Sequence, residues 1–290
     1  MSLWLDMLGT QVRYVPTKTF GSTRIAEAGM HHPEVLIFMH GIGGHLEAYS
    51  RNLTALADRF HTLAFDFVGH GLSNKLAMNY TPLVLAQHLG ELMDTLGIQH
   101  AHLSGESLGG WVGGLFAAQH PTRVQRLMLN TSAGLPIISD KGRQDLQDLI
   151  DLSKQAAAQG PPTYARVHDR MKWLFHPHNH DMITEELINT RLRYYTQPVM
   201  REVAPRVLAM IDIHDDYLIP FEKIKAETLF LWTADNPVHD VETARRSSAK
   251  LAGSKLYVMK TKSAHWPQYE APDEFNAVTR EFFSEGKVPA

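Results

Sequence analysis

The sequence predicts an α/β fold, a mostly parallel sheet with helices on both faces, interrupted once by a helical insertion. Apolar runs of strand length alternate with longer segments whose apolar residues recur at three- and four-residue steps. Several runs end in glycine-rich turns, as in "HGIGG" and "VGHG". The alternation stops between about Leu135 and Ile219 and then resumes, which sets the insertion apart from the sheet.

The elements follow in order. "WLDMLGTQVRYVP" and "STRIAEAG" are expected as strands at an antiparallel edge. "EVLIFMHG" (34–41) and "FHTLAFDFVGHG" (60–71) read as buried strands, with "LEAYSRNLTALADRF" a helix between them. "YTPLVLAQHLGELMDTLGI" (80–98) is a second helix. A strand in "HAHLSGES", a helix in "LGGWVGGLFAAQH" that stops at Pro121, and a strand in "VQRLMLNTSAG" come next. After the helix-rich insertion, "ETLFLWTAD", "VETARRSSAKLA", "SKLYVMKTKSAHW" and "PDEFNAVTREFF" give strand, helix, strand and helix. The domain division is therefore 1–134 with 220–290 as the core, and 135–219 as a helical cap.

Composition narrows the function classes. The 290 residues, 44% of them hydrophobic, can bury one large core. A formal net charge of −3 carries no basic excess for a nucleic-acid backbone or an anionic membrane. With no cysteine there is no disulfide, thiolate nucleophile or thiolate metal site. The first residues lack a basic n-region followed by an apolar h-region, and no run approaches the roughly 18 apolar residues of a membrane span. A cytoplasmic protein acting on a small molecule, with no nucleic-acid or membrane partner, is the expectation.

In "GESLG" a serine stands after a strand and before a helix, the setting in which G-x-S-x-G marks a nucleophile elbow. So tight a turn brings the positions two before and two after the serine together, which requires Gly105 and Gly109. Ser107 would sit at strained dihedrals with its hydroxyl exposed above the sheet, and the backbone N–H of Leu108 would face the reacting oxygen. The alternative is a glycine-rich strand-to-helix turn without chemistry. A serine nucleophile needs a base, and of 17 histidines only His265 follows the last strand. His40, His70 and His102 precede the nucleophile and are read as structural. The orienting carboxylate should follow the penultimate strand, where Asp235 stands; if the loop is shifted by one, Asn236 puts an amide in that slot and Asp240 is the fallback. "HGIGG" supplies the second oxyanion donor, the N–H of Ile42 or Gly43, with Gly41 on the substrate side. "DFVGHGLS" (66–73) reads as a structural turn. "HPHNHD", with His176, His178 and His180, reads as a solvated loop rather than a metal site, and no metal or organic cofactor is needed.

Together "HGIGG", "DFVGHGLS", "GESLGG", Asp235 and His265 resemble the α/β-hydrolase fold family over essentially the whole chain. That resemblance implies an eight-stranded sheet with the cap after strand 6. Within the family, "AHWPQYEAPDEFN" (264–276) and "ITEELINTRLRYYTQP" (183–198) are similar to the meta-cleavage-product hydrolases. These cleave a carbon–carbon bond in 2-hydroxy-6-oxohexa-2,4-dienoate-type products of catechol ring opening, giving a 2-hydroxypentadienoate and a carboxylic acid. The similarity implies that Trp266 lines the pocket, that Arg191 binds the dienoate carboxylate, and that the protein forms a homodimer or larger homo-oligomer. A planar guanidinium suits bidentate carboxylate recognition in a dry pocket. The plainer readings are a cap-surface ion pair for Arg191, with Arg193 nearby, and core packing for Trp266. The chain departs from the family at Glu106, where an asparagine precedes the serine, and near Ala48, where the family's longer oxyanion loop carries another asparagine. Glu106 is expected as a polar contact in a partly desolvated pocket, paired, hydrogen-bonded or protonated. Carboxylester hydrolysis by the same residues, and a non-catalytic ligand-binding protein of this fold, are the alternative functions.

Overall fold

The structure, a computed structural model, describes residues 2–158 and 160–289. A short helix α1 (Leu3–Asp6) precedes a hairpin of β1 (Gln11–Thr17) and β2 (Gly21–Ala28). The sheet continues through β3 (Val35–Met39), β4 (His61–Phe65), β5 (Ala101–Glu106), β6 (Val124–Asn130), β7 (Glu227–Trp232) and β8 (Lys255–Val258). Among the described residues these form one eight-stranded sheet in the order β1-β2-β4-β3-β5-β6-β7-β8. The β1–β2 and β2–β4 pairings are antiparallel and the others parallel, as the α/β reading requires.

Both faces of the sheet are covered, and the period of two in the strands decides which residues face which layer. In β3, Ile37 and Met39 join one apolar cluster, and Leu36 and Phe38 join the other. The helices that cover the sheet are α2 (Ser50–Leu53), α3 (Pro82–Thr95), α4 (Leu108–Gln119), α9 (Val241–Lys250), α10 (Pro267–Glu270) and α11 (Pro272–Glu285). Between β6 and β7 the chain leaves the sheet for α5 (Asp140–Ala158), α6 (Tyr164–Leu174), α7 (Glu185–Tyr195) and α8 (Met200–Leu208). In α7, Leu187, Ile188, Arg191 and Tyr194 are buried at helical spacing, so one face of this helix is turned inward. No helix among the described residues is long and apolar enough to cross a membrane.

Two local expectations are corrected. The segment from Trp4 is not extended: Leu3–Asp6 is helical, because the Glu186 carboxylate accepts the backbone N–H groups of Leu3 (2.9 Å) and Trp4 (3.3 Å) and so caps the turn. The helix expected over "LEAYSRNLTALADRF" is broken into α2 between two 3₁₀ turns. The Thr62 hydroxyl donates to the Leu53 carbonyl (2.9 Å), while Ala57 N–H bonds to Thr54 instead of continuing the helix.

Candidate active site

Ser107 occupies the single residue between the end of β5 and the start of α4, at φ 52° and ψ −114°. A non-glycine residue there stores on the order of 1–3 kcal/mol of strain, which the surroundings must hold. They do so through Ser107 N–H to the Asn130 carbonyl (3.0 Å) and Ala133 N–H to the Ser107 carbonyl (3.1 Å). The turn is as close as its glycines imply: a Cβ on Gly105 would lie 2.2 Å from the Gly109 backbone, and one on Gly109 would lie 2.2 Å from the Met39 carbonyl oxygen.

Beside the elbow runs the loop after β3. His40 Nδ1–H donates to the Gly41 carbonyl (2.7 Å) and its Nε2 accepts from Phe67 N–H (3.2 Å), so this histidine braces the loop. Gly41 N–H donates to Glu106 Oε2 at 2.7 Å and is thereby committed. The N–H groups of Ile42 and Gly43 make no hydrogen bond among the described residues, and Leu108 is the first residue of α4, where an N–H has no partner within the helix. Ile42, Leu108 and Ser107 line one cavity together. The Gly43 carbonyl accepts from Arg191 Nη2 (3.2 Å) and from the Tyr195 hydroxyl (2.6 Å), which ties α7 to this loop.

His265 is buried in the loop after β8, with its backbone held by Leu174 and Thr131. Its ring meets two partners. Nδ1 lies 3.2 Å from Asn236 Oδ1, and Nε2 lies 3.0 Å from Glu106 Oε1, a close contact off the line of a ring N–H. The expected acid, Asp235, is not there. It points outward, its side chain 64% exposed, toward His176 Nε2 at 3.5 Å. The fallback, Asp240, caps α9 by accepting from Thr243 N–H (2.7 Å) and also accepts from Ser139. The loop register is the cause: Asn236 turns inward because its Oδ1 accepts the N–H groups of Val238 (2.9 Å) and His239 (3.2 Å). Among the described residues no hydrogen bond joins Ser107 to His265. The hydroxyl's neighbour is His239 Nε2, at 3.5 Å, a residue the sequence reading passed over. His239 is driven well below the usual imidazole range, by burial first and by His265 and His214 next, so it faces Ser107 neutral. Its signal in the sequence is its place in "NPVHD", the loop after β7.

Arg191 is 3% exposed, and among the described residues no carboxylate pairs with it and its Nε and Nη1 have no hydrogen-bond partner. Its guanidinium lies 5.0 Å from the centre of the Trp266 ring and 5.4 Å from that of Tyr195. Trp266 also packs beside Phe175, so it is at once core and neighbour of the cation. The cavity over Ser107 is walled by Trp111, Leu146, Leu149, Met210 and Ile211, with His214 and His239 as its polar points.

The remaining motifs are structural. In "DFVGHGLS" the Asp66 carboxylate accepts from Arg24 Nε, Leu46 N–H and Leu72 N–H, and a Cβ on Gly71 would strike it. His70 packs at 5.0 Å from His40, and His102 lies between Phe60 and Phe283. "HPHNHD" forms a 3₁₀ turn, and among the described residues no group of three or more possible ligands is placed to hold a metal ion.

Comparisons with known proteins bear on the fold. Residues 34–272 match the alpha/beta hydrolase fold family. A 2-hydroxy-6-oxo-6-phenylhexa-2,4-dienoate hydrolase of Comamonas testosteroni is 27% identical over 86% of this chain and 87% of its own. Monoacylglycerol lipase abhd6-B of Xenopus laevis is 24% identical over 97% and 84%. The dihydrolipoyllysine-residue acetyltransferase component of an acetoin cleaving system from Cupriavidus necator is 32% identical over 41% of this chain, which spans only 34% of that relative. Among solved structures, the 2-hydroxy-6-oxo-6-phenylhexa-2,4-dienoate hydrolase of Rhodococcus sp. strain RHA1 superposes with a TM-score of 0.79 at 19% identity, covering 95% of this chain and 99% of that one. The chain belongs to the α/β-hydrolase fold family and is a hydrolase by class.

Proposed function

We propose that this hydrolase cleaves a carbon–carbon bond in a 2-hydroxy-6-oxohexa-2,4-dienoate-type product of catechol ring opening. The observation that carries the reading is Arg191: a buried guanidinium with two unpartnered nitrogens and no carboxylate, beside Trp266 and fastened to the oxyanion loop. A buried cation without an anion costs several kcal/mol. A bound carboxylate removes that cost, and a planar one meets the guanidinium in two parallel hydrogen bonds.

In this reading Arg191 holds the dienoate carboxylate, and the apolar cavity over Ser107 takes the acyl side group. The dienol ketonises, which lets the fragment leave as a stabilised carbanion equivalent. Ser107, with His265 as base, attacks the distal ketone, and the N–H groups of Leu108 and of Ile42 or Gly43 bind the developing oxyanion. Water then releases a carboxylic acid, so the reaction consumes one water and yields the acid and a 2-hydroxypentadienoate. The test is a panel of ring-cleavage products with alkyl and aryl side groups, followed by loss of their visible absorbance. Turnover of at least one class is expected. Activity confined to neutral esters, for which Arg191 has no ligand, would overturn the assignment in favour of ester hydrolysis, the activity in the name of the Xenopus relative.

A further inference from the structure

The position that should hold the triad's negative charge is filled by an amide. Asn236 Oδ1 accepts from two backbone N–H groups as well as facing His265 Nδ1, so its oxygen, not its NH₂, is turned to the ring. That orientation fixes the tautomer: Nδ1 carries hydrogen and Nε2 is the nitrogen left for the elbow. What Asn236 cannot do is stabilise an imidazolium by charge, and Asp235 and Asp240 are engaged elsewhere.

Glu106 can. It is 1% exposed, and among the described residues no lysine or arginine pairs with it. One oxygen is pinned by Gly41 N–H at 2.7 Å, and the other lies 3.0 Å from His265 Nε2. Tyr49, the other titratable group beside it, has its phenol pushed up by burial first and by the Glu106 charge next, and its hydroxyl donates to the Met39 carbonyl (3.0 Å). In the Nδ1–H tautomer the Nε2 lone pair faces the Glu106 carboxylate at 3.0 Å, and the repulsion between them turns to attraction when Nε2 takes up a proton.

We propose that Glu106, the residue directly before the nucleophile, is the acid partner of His265, and that Asn236 serves only to fix the ring's tautomer. The inference rests on Ser107 and His265 acting as nucleophile and base, as proposed above. As Ser107 Oγ bonds to the carbonyl carbon, the carbonyl electrons move to oxygen and the hydroxyl proton moves to Nε2. The positive charge then lies against the Glu106 carboxylate. When the bond to the leaving group breaks, the same proton leaves Nε2 with it, and Glu106 begins and ends the cycle as a carboxylate. Glu106 is thus a positioning residue that acts through the base.

The test reads serine activation without any assumed substrate: the rate at which a fluorophosphonate labels Ser107, measured against pH. Glu106→Gln keeps an acceptor for Gly41 N–H but removes the charge, and a loss of about 10³-fold at neutral pH is expected, comparable to losing a triad acid. Adding Asn236→Asp to that variant places a carboxylate at Nδ1 and should recover at least about tenfold, whereas a merely structural Glu106 gives no such rescue. Should Glu106→Gln unfold the protein, Glu106→Asp provides the second reading, with labelling retained in part and a shifted pH profile. Wild-type rates and profile in Glu106→Gln, or absence of rescue by Asn236→Asp, overturn the proposal. A wild-type serine that resists the probe overturns the nucleophile reading itself, and this inference with it.

Discussion

Arg191 shows how much one side chain can specify about a ligand. It reaches the site from α7, spends one nitrogen on the Gly43 carbonyl and on Tyr195, and leaves two nitrogens bare in a buried setting. The five donors of a guanidinium are fixed in a plane, so a lysine cannot reproduce both a bond to Gly43 and a two-pronged grip on a carboxylate. Charge-assisted hydrogen bonds are each worth about 1.5–3 kcal/mol. Arg191→Gln is therefore expected to raise KM for a dienoate by about 10- to 100-fold, and Arg191→Lys to recover little of it. Fluorophosphonate labelling of Ser107 should stay near the wild-type rate in both, because that probe carries no carboxylate. Equal loss in labelling and in KM would show that Arg191 only props up the Gly43 loop. Much of this site is legible residue by residue. Gly105 and Gly109 announce the elbow because only a missing Cβ allows backbone at 2.2 Å, and His265 announces itself by following the last strand. Asn236 is another matter, since its inward turn depends on backbone N–H groups of Val238 and His239, contacts set by the path of a loop rather than by residue type. The partner of Glu106 was hidden for a similar reason: only the parallel pairing of Met39 with Gly105 brings the loop beyond β3 against it.

Between β6 and β7, α7 is the helix whose placement governs the site, and a buried charged network holds it. Arg24 on β2 meets Glu47 through both Nη atoms (2.8 Å each) and Asp66 through Nε (2.7 Å). The Tyr194 hydroxyl donates to Glu47 Oε1 at 2.6 Å and accepts from Arg24 at 3.0 Å. Burial acts against the Arg24 charge, yet the two carboxylates hold it above its ordinary range, and Glu47 is held low by His45 and Arg24 against the opposing effect of its burial. Since Tyr194 lies one turn from Arg191, and Tyr195 binds Gly43, the network sets where the Arg191-bearing face of α7 sits. Tyr194→Phe removes both of these charge-assisted bonds and should cost on the order of 3 kcal/mol. Its amide exchange should quicken in α7 while α4 keeps its protection. Exchange unchanged in α7, or quickened equally in both helices, would mean that the network does not locate α7. The helix-rich character of this segment was readable from the stop in the strand alternation. Its anchoring was not, because Arg24, Glu47 and Tyr194 come from three distant stretches and only the folded sheet places them together.

The whole molecule carries a pH dependence that follows from its buried histidines. His40, His70 and His88 are pushed down to about 3, and His102 to about 4, with burial the largest cause at each. In the unfolded chain these groups titrate near 6.5. Between the two values the unfolded state binds more protons than the folded one, so stability is fully present above about pH 6.5 and is lost as pH falls toward 3. The slope is about 1.4 kcal/mol per pH unit for each histidine, so four together would remove about 8 kcal/mol between pH 6.5 and 5, against a typical stability of about 5–15 kcal/mol. Carboxylates such as Glu27, held low by His61 and Arg13 despite burial, lose their contribution only below the ordinary glutamate value, beneath most of this window. The urea midpoint should thus fall steeply from pH 6.5 to 5, where carboxylate titration alone predicts a nearly flat curve. His102 separates the two explanations. Neither of its ring nitrogens has a hydrogen-bond partner among the described residues, and it packs against Phe60 and Phe283. A buried N–H without an acceptor costs about 1–3 kcal/mol, so His102→Leu should be neutral or stabilising at pH 7.5. The same variant should lose one histidine's share of the slope, leaving the midpoint at pH 5 higher than that of the wild type by more than at pH 7.5. A parallel shift at all pH values would place the acid sensitivity elsewhere in the molecule.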